Sequence, residues 1–267
     1  MLTFVYPPGI RLTPPEAYAR IHPASYFNDA RVTLPSMKDV KIKVCGITTV
    51  EDARLVAESG ADFIGVIAGV DFSPRNLSLD SARLICEQSA LPAVVLFFNR
   101  EAEQIQEAIA TLHPHAVQLL GHETPSLVRT LKKTVPCEIW KSIHLPPQGI
   151  GEVNITGHQD RVNSLIDAGI DAVIIDTVVG SSGNNMRYGG TGQVNNWTVA
   201  RSLVEAFPVR TFLAGGINPE NIHQAIEMVH PYGIDLCSGV EIASGRKDPE
   251  KLRRLMSAIG RVVPEEG

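Results

Sequence analysis

The stretch VRTFLAGGINPENIHQAIEMV at residues 209–229 contains one complete structural unit. It begins with a short apolar run, VRTFLA (209–214), and continues through a glycine-rich loop into a segment with helical spacing. Four apolar residues of that segment fall on one helical face: Ile222, Ala225, Ile226 and Val229. Asn218–Pro219 predicts the helix start, because an Asn side chain accepts hydrogen bonds from unpaired amides and Pro fits the first helical turn. The stretch therefore predicts a strand, a loop and an amphipathic helix.

The same order of strand and helix recurs from about residue 40 onward. Eight short runs rich in Val and Ile predict eight strands: VKIKVC (40–45), DFIGVIA (62–68), AVVLFF (93–98), HAVQLL (115–120), CEIWKSI (137–143), DAVIID (171–176), VRTFLA (209–214) and YGIDLCS (232–238). Three further helix starts are predicted by a capping box or a cap before proline: Thr48 with Glu51, Thr124–Pro125 and Asp248–Pro249. Strands this apolar are buried on both faces, which indicates a parallel sheet covered by helices.

Eight strand–helix units in residues 40–267 predict an α/β protein of the closed (β/α)₈ TIM barrel class. An open doubly wound sheet is the alternative. That class more often has fewer strands and a nucleotide-binding fingerprint, and neither G-x-G-x-x-G nor a P-loop motif follows the first strand. The closed barrel is therefore the prediction, preceded by an N-terminal extension.

Residues 1–39 lie outside the repeat and contain six prolines. They also contain more aromatic residues than a solvated tail usually has: Phe4, Tyr6, Tyr18, Tyr26 and Phe27. We therefore expect an arm that packs on the barrel or on a second subunit, which makes a homodimer possible.

Composition excludes several classes of function. The 267 residues carry a net charge of −5, from 24 basic and 29 acidic side chains, without a basic cluster that would bind nucleic acid. No apolar run is long enough to span a membrane, and the N-terminus does not resemble a signal peptide. The four cysteines are dispersed without zinc-ligand spacing, as in a reducing compartment. We expect a cytoplasmic protein without a metal site.

The active site of a TIM barrel gathers at the C-terminal ends of the strands. Strand one ends in Cys45 and strand six in Asp176, three places apart around the ring. A thiol at this position is either a small buried residue or, where a cation or helix N-terminus lowers its pKa, a base or nucleophile. A carboxylate that ends the buried run AVII is costly unless it is hydrogen-bonded or functional. Both are candidate catalytic residues.

Three other loops at this mouth predict an anionic substrate. LAGGIN (213–218) and CSGVE (237–241) follow strands seven and eight, where TIM barrels commonly bind phosphate through backbone amides. Arg75 follows strand two, and a guanidinium group can bind a carboxylate through two parallel hydrogen bonds. Tight turns without a ligand and a solvated arginine are the alternative explanations.

Seven motifs, taken together and in this order, resemble those of the phosphoribosylanthranilate isomerase family. They are KVCGIT (43–48), SPRNLS (73–78), VQLLG (117–121), IIDT (174–177), YGGTG (188–192), LAGGINPENI (213–222) and SGVE (238–241). The correspondence runs from residue 41 to the C-terminus, and the set is specific although no single motif is.

The resemblance implies a cofactor-free Amadori rearrangement of N-(5′-phosphoribosyl)anthranilate to 1-(o-carboxyphenylamino)-1-deoxyribulose 5-phosphate in tryptophan biosynthesis. It implies that Asp176 protonates the furanose ring oxygen and that Cys45 removes the C2′ proton. Arg75 would bind the anthranilate carboxylate, and Asp235 matches another position at the mouth. Four residues would bind the phosphate: Gly215, Gly216, Ser238 and Gly239. The partner is thus a small phosphorylated molecule.

The glycines of YGGTG predict a loop that closes over the mouth and shields an imine from water. Several residues depart from the family pattern. Leu120 replaces the histidine of QLHG, Asn195 and Asn196 stand in GGTGQVNNW where GGTGKTFDW is usual, and Asn76 replaces a common tyrosine. These departures are compatible with a divergent isomerase or with a relative that accepts another aromatic group.

Two other functions remain open from the sequence. One is a non-catalytic or regulatory barrel that binds a phosphorylated metabolite. The other is a barrel enzyme that acts on a different phosphosugar, such as an aldolase or epimerase. An aldolase needs a Schiff-base lysine near a strand end, and Lys141 in EIWKSI is the nearest candidate.

Overall fold

The structure is a computed structural model that describes residues 36–150, 153–179, 187–188 and 192–261. All eight predicted strands are present: β1 (Lys41–Cys45), β2 (Phe63–Ile67), β3 (Ala93–Phe97), β4 (Ala116–Leu119), β5 (Glu138–Leu145), β6 (Ala172–Val179), β7 (Arg210–Leu213) and β8 (Gly233–Leu236). Each pairs in parallel with the next, and β8 pairs with β1 through the register Lys43↔Asp235 and Val44↔Leu236. The sheet is therefore a closed eight-stranded barrel, as the sequence predicts.

Helices alternate with the strands around the outside. They are α1 (Val50–Glu58), α2 (Leu79–Gln88), α3 (Ala102–Leu112), α4 (Pro125–Thr134), α5 (Ile155–Ile166), α6 (Trp197–Ala206), α7 (Ile222–Val229) and α8 (Pro249–Ala258). A short antiparallel hairpin, Glu241–Ala243 with Arg246–Lys247, follows β8 before α8 begins. The architecture is a (β/α)₈ TIM barrel.

Two predicted caps before proline are confirmed. Thr124 accepts a hydrogen bond from the amide of Leu127 and precedes Pro125, the first residue of α4. Asp248 accepts from the amides of Glu250 and Lys251 at the start of α8. Both cap side chains satisfy amide donors that the helix itself leaves unpaired.

The other two predicted starts are displaced. Thr49, rather than Thr48, caps α1 by accepting from the amide of Asp52, because the Thr48 hydroxyl is bound to the carbonyl of Gly245 at 2.5 Å. Asn218 accepts from the amides of Glu220 and Asn221 and forms a turn, so that α7 itself begins only at Ile222. A distant partner in the first case and an intervening turn in the second explain the differences.

Alternate residues of each strand face the helices or the lumen. The outer layer packs the aliphatic strand residues, such as Ile42 and Val44, against the helices. In the lumen, Trp140 stacks on Phe212 with 4.9 Å between ring centroids, and Phe63 packs edge-on against both rings. These three rings belong to an apolar cluster that fills part of the lumen.

Two sequence predictions fall largely outside the described residues. The predicted arm (1–39) is described only from Ser36, and Met37–Asp39 form a short 3₁₀ turn before β1. Of YGGTG, only Tyr188 and Gly192 are described, so lid closure stays a prediction. Within the described parts of the chain, no helix is long and apolar enough to cross a membrane. No group of three His, Cys, Asp or Glu side chains in those parts is arranged to hold a metal ion.

Candidate active site

Cys45 and Asp176, the predicted base and acid, both lie toward the C-terminal end of the barrel and face the lumen. Cys45 is the last residue of β1 and belongs to the cluster of lumen residues. Asp176 is two positions after Ile174, which belongs to the same cluster, and therefore shares its face. β7 and β8 separate their strands, so the two residues are three places apart around the ring, as predicted.

The predicted end of strand six at Asp176 is wrong by three residues. β6 continues to Val179 because Val178 and Val179 pair in antiparallel fashion with the short strand Arg187–Tyr188. Asp176 is thus held within a ladder and not at a frayed strand end. Its neighbour in β5 is His144, which faces the lumen as well.

Burial raises the pKa of Asp176 to about 7. The backbone amide of Thr177, 2.6 Å from Oδ1, opposes this rise, and the nearby charge of Asp235 adds to it, while Lys43 lowers the pKa. A carboxyl group with a pKa near neutrality carries a proton in a large fraction of molecules at physiological pH. Asp176 can therefore act as a general acid.

Cys45 has the opposite shift. A hydrogen bond with the Cys237 side chain lowers the pKa of the Cys45 thiol, burial opposes this, and the charge of Lys43 lowers it further. Gly65 of β2 leaves room for the sulfur, since a Cβ there would lie 2.8 Å from Cys45 Sγ. A thiol whose thiolate is favoured is suited to remove a proton from carbon.

A buried ion pair lies beneath the mouth. Lys43 Nζ is 3.0 Å from Asp235 Oδ1 and 2.9 Å from Oδ2, and both side chains are buried. Burial alone would lower the pKa of Lys43, but the charges of Asp235 and Cys45 outweigh it and the pKa is raised. The sequence placed Asp235 at the mouth as a substrate-binding residue. In the structure both of its carboxylate oxygens accept hydrogen bonds from Lys43.

A second network of charges centres on Glu241. Arg75 donates from Nε to Glu241 Oε1 at 2.8 Å and from Nη2 to Oε2 at 2.5 Å. Lys247 Nζ is 2.9 Å from Glu241 Oε1 and donates to the carbonyl oxygen of Cys45 at 2.6 Å. Gly46 has a φ of +75°, and a Cβ there would lie 2.5 Å from Arg75 Cδ. The Arg75 side chain therefore lies directly against the backbone beside Cys45.

The predicted phosphate loops meet at the same end of the barrel. Gly215 and Gly216 have φ values of +87° and +66°, which favour glycine. A Cβ on Gly239 would lie 1.9 Å from the carbonyl oxygen of Ile217, so the loops after β7 and β8 are in backbone contact. Among the described residues, the amides of these three glycines have no hydrogen-bond acceptor. Ser238 begins the 3₁₀ turn Ser238–Val240 beside them.

Lys141 does not belong to this site. It shares the outward face of β5 with Ile139 and Ile143, opposite Trp140 in the lumen. Its Nζ donates to Glu123 at 2.9 Å and to the carbonyls of Leu119 and Gly121. A lysine that binds three acceptors behind the sheet cannot form a Schiff base with a substrate in the lumen, which removes the support for an aldolase.

Four residues of the site were not assigned a function from the sequence: Lys43, Cys237, Glu241 and Lys247. The sequence could have indicated a function for Lys43, because it is a charged residue within an apolar strand, two positions before Cys45. Cys237 and Glu241 lie in the loop CSGVE (237–241), but no sequence pattern there indicates a function for either of them. Lys247 lies in the hairpin after it, and only the tertiary structure brings its side chain to Cys45.

Comparisons with known proteins identify the family of this chain. The sequence profile described as N-(5′-phosphoribosyl)anthranilate (PRA) isomerase matches residues 42–258. An N-(5′-phosphoribosyl)anthranilate isomerase of Methanocella arvoryzae is 34% identical over 82% of this chain and 97% of its own length. The chain belongs to the phosphoribosylanthranilate isomerase family.

Solved structures of phosphoribosylanthranilate isomerases have the same fold. A monomeric form generated from the dimeric enzyme of Thermotoga maritima superposes with a TM-score of 0.68 and 28% identity, covering 83% of this chain and 98% of that one. A phosphoribosylanthranilate isomerase in complex with reduced 1-(o-carboxyphenylamino)-1-deoxyribulose 5-phosphate superposes with a TM-score of 0.66 and 27% identity over the same shares.

The departures from the phosphoribosylanthranilate isomerase pattern have defined places in the structure. Leu120 packs against the lumen cluster. Asn196 caps α6 by accepting from the amide of Val199 at 3.2 Å. Asn195 is buried and donates from Nδ2 to the carbonyl of Ala214, directly before the glycine loop. None of them removes the proposed acid or base, and Asn195 supports the strand end that carries Gly215.

Proposed function

We propose that this protein catalyses the Amadori rearrangement of N-(5′-phosphoribosyl)anthranilate, with Asp176 as the acid and Cys45 as the base. One observation carries the assignment of roles. A carboxyl group with a raised pKa and a thiol with a lowered pKa face the same end of one lumen, beside glycine loops with unpaired amides. Opposite shifts of two titratable groups define which one donates a proton and which one accepts it.

In the first step, protonated Asp176 transfers its proton to the furanose ring oxygen. The C1′–O bond breaks, its electron pair stays on the oxygen as a hydroxyl group, and the nitrogen lone pair forms a protonated C1′=N Schiff base. Asp176 leaves this step as a carboxylate. Its raised pKa keeps a large fraction of the group protonated at neutral pH, so that a proton is available for this donation.

In the second step, the Cys45 thiolate removes the proton from C2′. The C–H electron pair forms the C1′=C2′ bond, and the electrons of the C=N bond return to nitrogen, which gives an enolamine. Protonation at C1′ and loss of the C2′ hydroxyl proton then give the ketone. The net change moves hydrogen from C2′ to C1′ and needs no external oxidant or reductant, so proton-transfer groups supply the chemistry.

The remaining predicted residues would hold the substrate. Glu241 engages Nε and Nη2 of Arg75 and orients the guanidinium, whose remaining N–H groups would bind the anthranilate carboxylate. The amides of Gly215, Gly216 and Gly239, with Ser238, would bind the phosphate, because unpaired backbone amides are good anion donors. The related complex with a reduced product analogue supports a ligand that carries both groups.

Two further proposals concern the whole chain. We propose a homodimer, on the strength of the dimeric Thermotoga maritima relative and the aromatic residues of the N-terminal arm. Light scattering on the purified full-length protein measures its mass in solution, and a monomer would contradict this proposal. We also propose that the protein works in the cytoplasm, where reduced cysteines persist.

The decisive experiment uses the loss of anthranilate fluorescence. Purified protein is mixed with N-(5′-phosphoribosyl)anthranilate, and turnover with formation of the ketone product supports the proposed function. Binding without turnover would instead favour the non-catalytic barrel. Absence of binding would leave a different phosphorylated substrate as the explanation of the glycine loops.

A further inference from the structure

The Lys43–Asp235 pair has no role in the two proton transfers described above, yet it is costly to build. Both side chains are buried, with 0% of Lys43 and 7% of Asp235 exposed, and removing an ion from water costs several kcal/mol. The surrounding lumen residues are apolar, among them Phe63, the register partner of Lys43 on β2, so apolar side chains at these two positions would cost less. The pair therefore calls for an explanation beyond packing.

The position of the pair relates it to both catalytic groups. Lys43 is two residues before Cys45 on the same face of β1, its Nζ donates to Asp235, and its positive charge acts on the cysteine. Asp235 is the register partner of Lys43 on β8, and its charge acts on Asp176. The charge of Lys43 thus acts on the thiol, and the charge of Asp235 acts on the carboxyl group.

We propose that Lys43, paired with Asp235, is a positioning residue for both proton transfers. The ammonium group stabilises the thiolate of Cys45, while the Asp235 carboxylate disfavours a second negative charge on Asp176. A single buried pair thereby keeps one group ready to accept a proton and the other ready to donate one. The inference rests on the proposed function and adds the residue that sets the roles of its acid and base.

The other charged groups around Cys45 do not duplicate this role. Lys247 also lowers the pKa of the thiol, but less than Lys43 does, and both Lys247 and Arg75 are bound to Glu241. Cys237, the residue directly after β8, lowers the pKa of the Cys45 thiol as well. Of the charges that act on the thiol, that of Lys43 has the largest effect, and it outweighs the opposing charge of Asp235.

Few groups of the described residues act on Asp176. Within this part of the chain, the charges that affect its carboxyl group are those of Asp235 and Lys43, and the amide of Thr177 donates to it. His144 lies beside it on β5, and the burial of that imidazole lowers its pKa to about 3, so it is neutral. The Lys43–Asp235 pair therefore provides the charges that act on both groups.

The test measures the pKa of the Cys45 thiol in Lys43→Met by a pH titration in which ultraviolet absorbance reports thiolate formation. For each protein, the absorbance of a matched form that also carries Cys45→Ser is subtracted, so that only the Cys45 thiolate is measured. We expect the midpoint to rise by about one pH unit or more, because a nearby opposite charge shifts a pKa by about one to three units. Lys41→Met is the matched control: it removes an ion pair with Asp62 at the other end of the same strand, and its midpoint should equal that of the wild type. An unchanged midpoint in Lys43→Met would overturn the proposal.

A second variant covers the case in which Lys43→Met leaves Asp235 unpaired and fails to fold. The double variant Lys43→Met/Asp235→Asn removes both charges and keeps similar side-chain volumes. We expect the low-pH limb of its kcat/KM profile to move up, with Cys45, and the high-pH limb to move down, with Asp176. If both limbs of this pH profile remain at their wild-type pH values, the proposal is contradicted. The titration needs no substrate, so its result stands apart from whether the protein turns over phosphoribosylanthranilate.

Discussion

Asp176 shows how a single environment changes both the chemistry and the stability of a residue. Desolvation raises the pKa of this carboxyl group from an ordinary value of 3.8 to about 7. In the unfolded chain the group ionises near pH 4. Between these two values the folded state binds more protons than the unfolded state, so the free energy of unfolding decreases as the pH rises through this range.

This linkage predicts a stability difference for Asp176→Asn that depends on pH. At about pH 8 the variant should be more stable than the wild type by roughly 1–3 kcal/mol. This difference is smaller than the whole pKa shift would give, because solvent at the mouth screens part of the effect. At about pH 4 both side chains are neutral and the difference should vanish. Urea unfolding at the two pH values measures it. Activity should fall at least about a hundredfold, and equal stability at both pH values would show that the carboxyl group is not desolvated.

Cys45 is expected to be required for turnover because no other described thiol has a lowered pKa. Cys45→Ser should reduce kcat/KM by at least about a hundredfold, since a hydroxyl group is a far weaker base at neutral pH. Cys86→Ser is the control: burial raises the pKa of that thiol to about 11, and it lies on α2, away from the lumen. Near-normal rates in Cys45→Ser, measured by anthranilate fluorescence, would remove the residue from the mechanism.

At the scale of elements, the strands are the most predictable feature because burial on both faces leaves an unmistakable run of Val and Ile. The ends are less predictable, since they depend on partners that a local pattern does not contain. β6 extends past Asp176 through its pairing with residues 187–188, and Thr48 is diverted from its helix by Gly245. Neither residues 187–188 nor Gly245 lie within the stretch of sequence that predicts the strand or the helix they affect.

The glycine loops provide a prediction at this scale. A Cβ on Gly215 would lie 2.0 Å from Thr177 Oγ1, whereas Gly60, with a nearly equal φ of +86° against +87°, has no atom within 4 Å. Gly215→Ala should therefore raise the KM for substrate and weaken inhibition by inorganic phosphate, whereas Gly60→Ala should cost only the backbone strain, about 1 kcal/mol. Steady-state kinetics with phosphate as competitor and thermal unfolding separate the two effects. Equal KM values in both variants would argue against a ligand at Gly215.

At the scale of the whole molecule, closure of the barrel explains why part of the site escapes sequence analysis. Cys45 and Asp176 are predictable because each stands at the C-terminal side of its own strand, where such barrels place their chemistry. Their charged neighbours depend on contacts across the ring. Lys43 and Asp235 are 192 residues apart in sequence and become adjacent only when β8 pairs with β1. No local pattern contains that information.

Cys45 ends β1, and Cys237 directly follows the neighbouring strand β8, an arrangement with one further consequence, for the way the protein must be handled. Diamide takes two electrons and two protons from a pair of thiols and leaves them joined as a disulfide. Such a cross-link would consume the base, so we expect diamide to abolish turnover and dithiothreitol to restore it, with Cys237→Ser resistant. Loss of activity in Cys237→Ser to the same extent would assign the oxidation to another cysteine. Preparations kept without a reductant should then contain an inactive fraction that dithiothreitol recovers.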